Sequence, residues 1–295
     1  MIHLNFRLFN TSDLLNLISA IEPCNSEARQ ILKEKLLQPW VDVHENCIVA
    51  TENETNKIIG YLLIIEENPI DRVIIEYGIA RELEYDAILS GLLDVAIMKL
   101  NTKKNRNVHC CISRESDRNI LSSIGFEFNR TYWKLNREDT NYIDITDVEG
   151  IRISSCREDE IDNLAHIQNA CFSSSWGFCP NTPDQIRYKL SMSNTSLGNV
   201  LIMQDRENII GYCWTYEYGE AVDKSGAISM IGIHPEKRGT GLSKLILGCG
   251  INKLIKSGCS NVFLEVDSGN TPAIKLYTSL GFVKQQDLIW YEYVN

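Results

Sequence analysis

The sequence lacks several features that would assign a function class directly. It has no apolar run long enough to span a bilayer, although 44% of its 295 residues are hydrophobic. Its ten cysteines include no C-x-x-C pair, so their spacing predicts neither a metal site nor a disulfide framework. The net charge of -10 argues against a nucleic-acid-binding protein, which usually carries a basic face. The first residues also lack the apolar core of a signal peptide. We therefore expect a cytoplasmic protein that contacts neither membranes nor nucleic acids.

The length and an internal repeat predict two domains of the same fold. At about 150 residues per domain, two domains are the default expectation. Residues 75–79 (IEYGI) parallel residues 229–233 (SMIGI), and each segment is followed by a helical pattern, a β-like run and a short helix that closes on Gly-Phe. A polar stretch at 136–141 is the best linker. We predict domains at residues 1–145 and 150–295.

The pattern of the second half is that of an α/β domain. Residues 200–203, 209–218 and 227–233 have the composition of strands, and residues 158–172 and 242–256 have helical periodicity. Thr182 followed by Pro183 predicts the start of a further helix. Since strands and helices alternate, we expect a mixed, mostly antiparallel twisted sheet flanked by helices in each domain.

The segment 234–243, HPEKRGTGLS, carries the strongest chemical signal. It lies between a predicted strand and a predicted helix. Gly239 and Gly241 allow the backbone to turn sharply and to approach a ligand closely. The amides at the start of the helix point outward beside the positive end of the helix dipole. This segment, with the charge of Arg238, predicts an anion site suited to a pyrophosphate.

A second motif lies downstream, at residues 270–282, NTPAIKLYTSLGF. The two motifs together, at this spacing, resemble the GNAT acetyltransferase superfamily, whose patterns are (Gln/Arg)-x-x-Gly-x-(Gly/Ala) and Asn-x-x-Ala-x-x-(Leu/Phe)-Tyr-x-x-x-Gly-Phe. The second pattern matches at every fixed position, whereas Ser243 replaces the last residue of the first. The resemblance covers residues 150–295, and the tandem arrangement is similar to mycothiol synthase and its relatives.

The resemblance implies a role for each motif residue. Backbone amides of the loop hold the pyrophosphate of acetyl-CoA, and the strand before the loop pairs with the pantetheine arm. The Tyr277 hydroxyl protonates the leaving thiolate, and an amine attacks the thioester directly, without a metal. The implied cofactor contacts are Met230, Ile231, Ile233, Arg238, Gly239, Thr240, Gly241, Leu242, Ser243, Asn270 and Tyr277.

The sequence leaves the general base open. Many members of the superfamily carry a carboxylate on the strand before the phosphate loop, but residues 226–231 contain no acidic residue. Glu217 ranks first among the candidates, ahead of Glu220 and Glu265, and a water chain is the alternative. Trp176 and Phe178, in a loop rich in serine and glycine, are candidates for the substrate wall, or they anchor the loop to the core.

The first half lacks the residues that the resemblance requires. An alignment at Gly78 and Gly232 places Glu84 where Arg238 stands, and an alignment at the Gly-Phe pairs places Leu121 where Tyr277 stands. The loop 80–86 (ARELEYD) has no glycine and carries three carboxylates, which would repel a pyrophosphate. We therefore expect the first domain to be non-catalytic.

Three functions remain open at this point. The first is acetylation of a small-molecule amine, the second is acetylation of a protein or peptide amine, and the third is a non-catalytic acyl-CoA-binding regulatory module. The missing strand carboxylate motivates the third. The fold by itself does not choose among acceptors.

Overall fold

The computed structural model describes residues 3–22, 25–80, 84–101, 106–219 and 224–294. The chain divides into two compact units. Unit 1 comprises Met1–Thr131 and Leu288–Asn295, and unit 2 comprises Tyr132–Asp287. This division differs from the single cut between residues 145 and 150 that the sequence predicts. The difference arises because the last strand of the chain pairs within unit 1, whereas residues 132–137 pair within unit 2.

Unit 1 begins with a strand of its sheet, which three α-helices separate from the next strand. Its strands are β1 (Leu4–Leu8), β2 (Cys47–Glu52), β3 (Ile58–Glu67), β4 (Arg72–Ile79), β5 (Asn107–Ile112), the first part of β6 (Phe126–Arg137) and the second part of β12 (Val283–Tyr293). Its helices are α1 (Leu14–Ile21), α2 (Ser26–Leu36), α3 (Val43–Asn46), α4 (Tyr85–Leu100) and α5 (Asp117–Ser123).

Unit 2 repeats this order of elements. Its strands are the second part of β6, then β7 (Ile151–Ser155), β8 (Val200–Asp205), β9 (Asn208–Tyr218), β10 (Ser225–Ile233), β11 (Asn261–Asp267) and the first part of β12 (Val283–Tyr293). Its helices are α6 (Ile161–Phe172), α7 (Pro183–Leu190), α8 (Leu242–Lys256) and α9 (Thr271–Ser279). None of the described helices combines the length and the apolar character needed to cross a membrane.

The two sheets have the same topology. The strand order is β1-β2-β3-β4-β5-β12 in unit 1 and β7-β8-β9-β10-β11-β6 in unit 2. In each unit the fourth and fifth strands run parallel, and the other neighbours are antiparallel. The parallel pair is connected through one helix, α4 or α8, as a parallel crossover requires. The prediction of two tandem α/β domains with mixed sheets flanked by helices is confirmed.

Helices cover both faces of each sheet. In unit 2, α8 and α9 pack on one face through a cluster that includes Ile246, Leu247 and Leu264. Helices α6 and α7 pack on the opposite face through a second cluster that includes Leu164 and Ile186. Unit 1 has the equivalent pair of clusters, one around α4 and one around α1 and α2. Burial of these apolar faces is the main contribution to the stability of each unit.

A matched glycine and tyrosine mark the repeat at the residue level. Gly78 lies opposite Tyr61 in the β3–β4 pair, and Gly232 lies opposite Tyr212 in the β9–β10 pair. A Cβ atom on Gly232 would lie 2.8 Å from the Cβ atom of Cys171 in α6. One on Gly78 would lie 2.6 Å from the Tyr61 ring. In both units a glycine therefore gives the tyrosine ring and the first long helix the space to pack closely.

Local capping explains where two helices of unit 2 begin. Thr182 Oγ1 accepts a hydrogen bond from the Gln185 amide at 3.2 Å, and Gln185 Oε1 accepts one from the Thr182 amide at 2.8 Å. This capping box stabilises the start of α7, as Thr182 and Pro183 predict. Residues 158–160 form a 3-10 turn, so α6 begins at Ile161 rather than at Glu158.

Candidate functional site

Strands β10 and β11 separate in the middle of the unit 2 sheet. They pair in parallel from Ser225 opposite Asn261 to Ile228 opposite Leu264. On its other side β10 stays paired with β9 as far as Ile233, but the register shifts between Ile228 and Met230. Ser229 is therefore the extra residue of a β-bulge, which bends and twists the strand. The β10–β11 pairing stops at this bulge.

The separation leaves part of β10 accessible in the interior of a sheet. Ser229 is exposed, and Met230 and Ile231 are half-buried, whereas the three residues before them, 226–228, are buried. The Met230 sulfur accepts a hydrogen bond from Gln168 Nε2 at 2.9 Å, so its side chain is held on the α6 face. Backbone groups of this segment are thus available to an extended ligand that takes the place of a neighbouring strand. The cofactor contacts of Met230 and Ile231 stay a prediction.

The loop that follows β10 presents a row of backbone amides. Gly239 and Gly241 adopt left-handed φ angles of 77° and 84°, and no atom lies within 4 Å of the Cβ position of either residue. Among the described residues, the amides from Gly239 to Ser243, which include those of Thr240 and Leu242, have no hydrogen-bond acceptor. The first turn of α8 contains no acidic residue. The loop therefore has the geometry of an anion site at a helix N-terminus.

Arg238 does not lie free above this loop. Its Nη2 atom donates to the Cys171 carbonyl at 2.6 Å, and its Nε atom donates to the Ile233 carbonyl at 3.4 Å. The guanidinium thus satisfies a carbonyl at the C-terminal end of α6, where a positive charge is favourable. Arg238 ties the loop to α6 and to the end of β10, where the Ile233 side chain is buried in the core.

Asn270 stabilises the start of α9. Its Oδ1 atom accepts a hydrogen bond from the Ala273 amide at 3.2 Å, so it is the N-cap of the helix. The residue is exposed. This capping orients the side chain, and the predicted contact with the cofactor arm would use the remaining amide group. That contact stays a prediction.

Tyr277 lies in the core on the α8 and α9 face of the sheet. Its side chain is 7% exposed and packs against Phe282 at a ring-centroid distance of 6.0 Å. Burial, with a smaller contribution from Cys213, raises the pKa of Tyr277 well above its usual range. The hydroxyl has no hydrogen-bond partner among the described residues. A phenol in this state keeps its proton at neutral pH and is available as a hydrogen-bond donor to a thiolate.

Glu217, the first-ranked candidate base, is held in an ion pair. It contacts Lys224 Nζ and accepts a hydrogen bond from Asn199 Nδ2 at 3.1 Å. Burial would raise the pKa of Glu217, but the hydrogen bonds and the charge of Lys224 lower it overall. A carboxylate with a lowered pKa is a weak proton acceptor.

The position of Glu217 also differs from the one a base requires. It lies opposite Gly226 at the start of β10, and a Cβ atom there would contact Leu254 near the end of α8. At 1.5 Å per residue, α8 is about 22 Å long, so Glu217 lies far from the loop at the other end of this helix. The sequence ranking that placed Glu217 first therefore disagrees with the geometry. Glu220 lies outside the described residues.

Glu265 lies where the two strands separate. It follows Leu264, the last residue of β11 that pairs with β10. Leu264 and Val266 point into the α8 and α9 core, so alternation places the Glu265 side chain on the opposite face, where it is exposed. Although it reaches solvent, enough protein surrounds the carboxylate to raise its pKa by desolvation, which Lys134 on β6 partly offsets.

The two aromatic residues of the α6–α7 loop have different surroundings. The Trp176 ring lies 6.2 Å from the ring of Tyr132, which is cross-strand from Asp267 on the Glu265 face. The Phe178 ring stacks on Phe172 of α6 at 5.4 Å. Trp176 is thus placed beside the open face, whereas Phe178 fastens the loop to the helix. The sequence did not single out Tyr132 or Lys134, because β6 precedes the predicted domain.

The equivalent region of unit 1 has a different backbone. The β3–β4 register runs from Glu67 opposite Arg72 to Gly60 opposite Ile79 without a bulge. The connection to the helix is shorter, with residues 80–84 in place of residues 234–241. Glu84 occupies the left-handed N-cap position of α4, as Gly241 does for α8. The sequence alignment of Glu84 with Arg238 is therefore corrected, because it did not allow for the shorter loop.

A hydrogen-bonded cluster joins β4 to α5 in unit 1. Asp117 is 1% exposed, and its Oδ2 atom accepts hydrogen bonds from the hydroxyls of Tyr77 at 2.6 Å and of Tyr85 at 3.1 Å. The Arg114 guanidinium lies 4.2 Å from the centroid of the Tyr85 ring. Tyr77 occupies the position of Ile231 in the repeat. Leu121, in the position of Tyr277, is fully buried and has no proton to donate.

Comparison with known proteins decides the family of the second unit. The profile of the Acetyltransferase (GNAT) family matches residues 161–282. This segment is a GNAT domain. The matched range contains the β10 bulge, the α8 loop and Tyr277, so the resemblance to the GNAT acetyltransferases is confirmed for this part of the chain.

The chain is similar in sequence to mycothiol acetyltransferases, of which two serve as examples. The protein from Actinosynnema mirum is 27% identical over 173 residues, which cover 57% of each chain. The protein from Kocuria rhizophila is 37% identical over 81 residues, which cover 27% of each chain. The matches thus span about half or less of these relatives.

Solved structures extend the likeness in fold to almost the whole chain. A tandem GNAT protein from the clavulanic acid biosynthesis pathway superposes with a TM-score of 0.75 at 11% identity, covering 98% of both chains. A GCN5-related N-acetyltransferase from Sphaerobacter thermophilus has a TM-score of 0.70 at 15% identity, covering 98% of this chain and 95% of the other. These likenesses support a tandem GNAT fold for units 1 and 2.

Proposed function

We propose that unit 2 is an acetyl-CoA-dependent N-acetyltransferase that acetylates a primary amine of a small molecule. One observation carries the proposal. The row of unpaired amides from Gly239 to Ser243 follows directly after a strand that has separated from its neighbour, and both features lie inside the GNAT domain. The amides suit the pyrophosphate of the cofactor, and the separated strand suits its extended arm.

The residues of the site supply a direct-attack mechanism. Acetyl-CoA supplies the activated acetyl group when bound. The amine nitrogen forms a bond to the thioester carbon, and the bond between that carbon and sulfur breaks. Backbone amides next to the bulge, such as that of Met230, are positioned to stabilise the charge that develops on the carbonyl oxygen. Tyr277 donates its proton to the thiolate, and its buried position keeps that proton in place until then.

Two features support a small acceptor with a ring or other apolar part. Trp176 and Tyr132 provide aromatic surface beside the open face, and aromatic rings contribute much of the binding energy in small-molecule sites. The sequence relatives are named as mycothiol acetyltransferases, which is consistent with a small-molecule acceptor.

An assay of CoA thiol release tests the proposal. The panel contains an amino sugar, an aralkylamine, a diamine, an amino-acid ester and a peptide with a free N-terminus, each at saturating acetyl-CoA. We expect release with a small amine and weaker release with the peptide. Preference for the peptide would favour a protein or peptide acetyltransferase. Binding of acetyl-CoA in calorimetry without release for any amine would overturn the proposal in favour of an acyl-CoA-binding module.

A further inference from the structure

We infer that Arg137 is a positioning residue for Tyr277: it fixes the end of α9 on which Tyr277 lies, and it ties that end to α8 through residues 138–145. These residues are named the strap. The inference rests on the proposed function, because the role of Tyr277 as the acid belongs to that function. It goes beyond the proposed function by giving a place in unit 2 to a segment that the sequence predicts to be a linker.

The C-terminal turn of α9 holds Tyr277 through its backbone. The Phe282 amide donates to the Tyr277 carbonyl at 3.2 Å. The Gly281 amide donates to the Thr278 carbonyl at 3.1 Å, and Gly281 has a left-handed φ angle of 87°. These two bonds form a Schellman motif, and the contact between the Tyr277 and Phe282 rings is the apolar contact that often accompanies it. The orientation of Tyr277 therefore depends on this turn.

Arg137 satisfies a carbonyl at the end of the same turn. Its Nε atom donates to the Leu280 carbonyl at 2.9 Å, and the Leu280 amide donates to the Tyr277 carbonyl at 3.0 Å. The Arg137 side chain is buried, and its Nε atom would lie 3.5 Å from a Cβ atom on Gly281. A positive charge at the C-terminal end of a helix is favourable. Leu280 thus links Arg137 to Tyr277 by two consecutive hydrogen bonds.

The same guanidinium holds the start of the strap. Its Nη2 atom donates to the Asn141 carbonyl at 2.9 Å and to Asp139 Oδ2 at 3.1 Å, and its Nη1 atom donates to the Asp139 carbonyl. Asp139 Oδ1 in turn accepts a hydrogen bond from the Asn141 amide at 2.8 Å. Residues 139–141 are therefore folded around the guanidinium, whose planar fork serves several acceptors at once.

The middle of the strap is fastened to α8. The Ile143 amide donates to Asn252 Oδ1 at 2.7 Å, and Asn252 Nδ2 donates to the Ile143 carbonyl at 2.9 Å. Gly248, one turn earlier in α8, leaves room for the strap, because a Cβ atom there would lie 3.1 Å from Ile143 Cγ2 and 3.4 Å from Ile145 Cγ1. Since α8 begins at the candidate anion loop, the strap joins the helix of that loop to the helix of Tyr277.

The repeat supplies a comparison within the same chain. The place of Arg137 beside β11 is taken in unit 1 by Tyr293 beside β5. Gly125 is the equivalent of Gly281, and a Cβ atom on Gly125 would lie 3.1 Å from Cε2 of the Tyr293 ring. The unit with the proposed acid thus has a guanidinium under this glycine, whereas the unit with Leu121 in place of the acid has an aromatic ring.

A double-mutant cycle separates positioning from stabilisation. Arg137→Lys keeps the charge but loses the fork, and Arg137→Tyr introduces the side chain that unit 1 uses. With the best amine of the panel, we expect kcat to fall about 10-fold and about 100-fold, respectively, the range for a misplaced reacting group. In a Tyr277→Phe background, the same changes should lower kcat less than about threefold, because the group that they position is gone. Equal losses in both backgrounds would overturn the inference.

The affinity for acetyl-CoA and a matched arginine complete this test. Calorimetry should give less than about a threefold change for the Arg137 variants, because the loop keeps its amides. Arg72→Lys is the control, since Arg72 is a buried arginine of unit 1 whose Nε atom donates to Glu67 at 2.5 Å. We expect wild-type kcat for this variant. A loss equal to that of Arg137→Lys would contradict a specific role for Arg137.

Amide hydrogen exchange tests the contact without turnover. In Arg137→Lys we expect the amides of Leu280, Gly281 and Phe282 to exchange at least about tenfold faster. Those of β8, three strands away from β11, should stay within about twofold of wild type. Uniform acceleration, or none, would overturn the inference even if amines are acetylated. Absence of acetylation with every amine would instead refute the proposed function, whatever the exchange shows.

Asn252→Ala covers the case in which the Arg137 variants do not fold. It removes both hydrogen bonds to Ile143 from a half-buried position of α8, keeps a good helix former there, and leaves Arg137 in place. We expect kcat to fall about threefold to tenfold only when Tyr277 is present, together with faster exchange of the Ile143 amide. Wild-type kcat and wild-type exchange would show that the strap does not hold α8, and would overturn the inference.

Discussion

The two units have the same strand order, the same single parallel pair and the same crossover helix, but they differ at the place where that pair ends. In unit 2, β10 has a bulge at Ser229 and a long loop with two left-handed glycines. In unit 1, β4 has no bulge, and its shorter loop ends at Glu84. The comparison teaches that the topology supplies a scaffold, whereas one inserted strand residue and a few loop residues create the candidate site.

The two units also differ in the side chains at equivalent positions near the end of the parallel strand pair. Where unit 2 has Ile231 and Tyr277, unit 1 has Tyr77 and Leu121. Tyr77 donates its hydroxyl hydrogen to Asp117, and this bond fastens β4 to α5. In unit 1 the hydroxyls of Tyr77 and Tyr85 thus pair with the Asp117 carboxylate, whereas in unit 2 the loop amides remain without acceptors among the described residues. Buried polar groups that are satisfied contribute to stability, and unsatisfied amides at a helix start are available to an anion.

The largest expected effect comes from the loop glycines. A double change of Gly239→Ala and Gly241→Ala forces two alanines into left-handed conformations, at roughly 1–2 kcal/mol each, and distorts the amides. We expect acetyl-CoA to bind about 100-fold more weakly, which corresponds to the loss of two charge-assisted hydrogen bonds. Calorimetry with acetyl-CoA measures this directly.

Gly258 offers a matched control for that change. It also has a left-handed φ angle, of 89°, with no atom within 4 Å of its Cβ position, but it follows the opposite end of α8. Gly258→Ala therefore imposes the same type of backbone strain without touching the loop. Unchanged affinity in Gly258→Ala beside lost affinity in the double variant is expected. Equal affinities in both would remove the loop from the site.

The next effect concerns Tyr277. Tyr277→Phe removes the proposed acid and leaves the packing against Phe282, so kcat should fall about 100-fold while the affinity for acetyl-CoA stays the same. Tyr61→Phe, which removes the hydroxyl of a buried tyrosine in unit 1, serves as the control. An assay of thiol release at a series of quench times gives kcat for Tyr277→Phe and for Tyr61→Phe. Wild-type turnover in Tyr277→Phe would show that another group protonates the thiolate.

Unit 1 should respond to mutation through stability rather than through binding. Asp117→Ala leaves the hydroxyls of Tyr77 and Tyr85 without their acceptor, which costs about 1–3 kcal/mol of unfolding free energy. Urea unfolding measures this loss. Asp86→Ala, an exposed change in the first turn of α4, is the control and should have little effect. A change in affinity for acetyl-CoA on mutation of Asp117 would contradict the structural role of unit 1.

The smallest expected effect concerns the hydrogen-bonded turn that precedes the first long helix in both units. In both units the carboxylate of the first turn accepts a hydrogen bond from the backbone amide three residues before it, Asp13 from Asn10 at 2.8 Å and Glu160 from Arg157 at 2.9 Å. Arg7 donates to both oxygens of Asp13, at 2.6 and 2.9 Å. These hydrogen bonds lower the pKa of Asp13 despite its burial. Asp13→Asn should cost about 1–2 kcal/mol of stability at pH 7.

The sign of the pH dependence follows from the lowered pKa. The contribution of Asp13 is fully present above its unfolded-state value near 3.8 and is lost as pH falls through the lower folded value. The stability difference between wild type and Asp13→Asn should therefore shrink below about pH 4. Urea unfolding at a series of pH values measures it, and Asp94→Asn on the exposed side of α4 is the control. A constant difference down to pH 2 would exclude this pair as the cause.

Much of this architecture could be predicted from the sequence. The helix 242–256 has the bounds observed for α8, because its periodic apolar residues coincide with a glycine-rich start and a Ser-Gly end. The repeat could be recognised in the sequence because both units keep a glycine, Gly78 or Gly232, where a side chain would collide with the facing tyrosine or helix. The left-handed turn at Gly239 and Gly241 could be predicted because few residue types permit two left-handed positions next to a helix start.

Long-range pairing set the limit of prediction. The linker composition at 136–141 gave no sign that β6 pairs with β11 or that the last strand pairs with β5, since neighbours in a sheet need not be neighbours in sequence. The bulge at Ser229 could not be predicted either, because it depends on how β10 pairs with β9. Glu217 ranked above Glu265 because the sequence does not show that Lys224 neutralises one carboxylate and that the other lies where two strands separate.

The central claim is that one unit of this pair binds the thioester cofactor and the other does not. Isothermal titration of acetyl-CoA into the full chain tests it most directly, because the stoichiometry counts the sites. One molecule per chain is expected in the wild type and in Asp117→Ala, with an affinity about 100-fold lower when Gly239 and Gly241 are both replaced by alanine. Two molecules per chain, or wild-type affinity after the glycine changes, would contradict the claim.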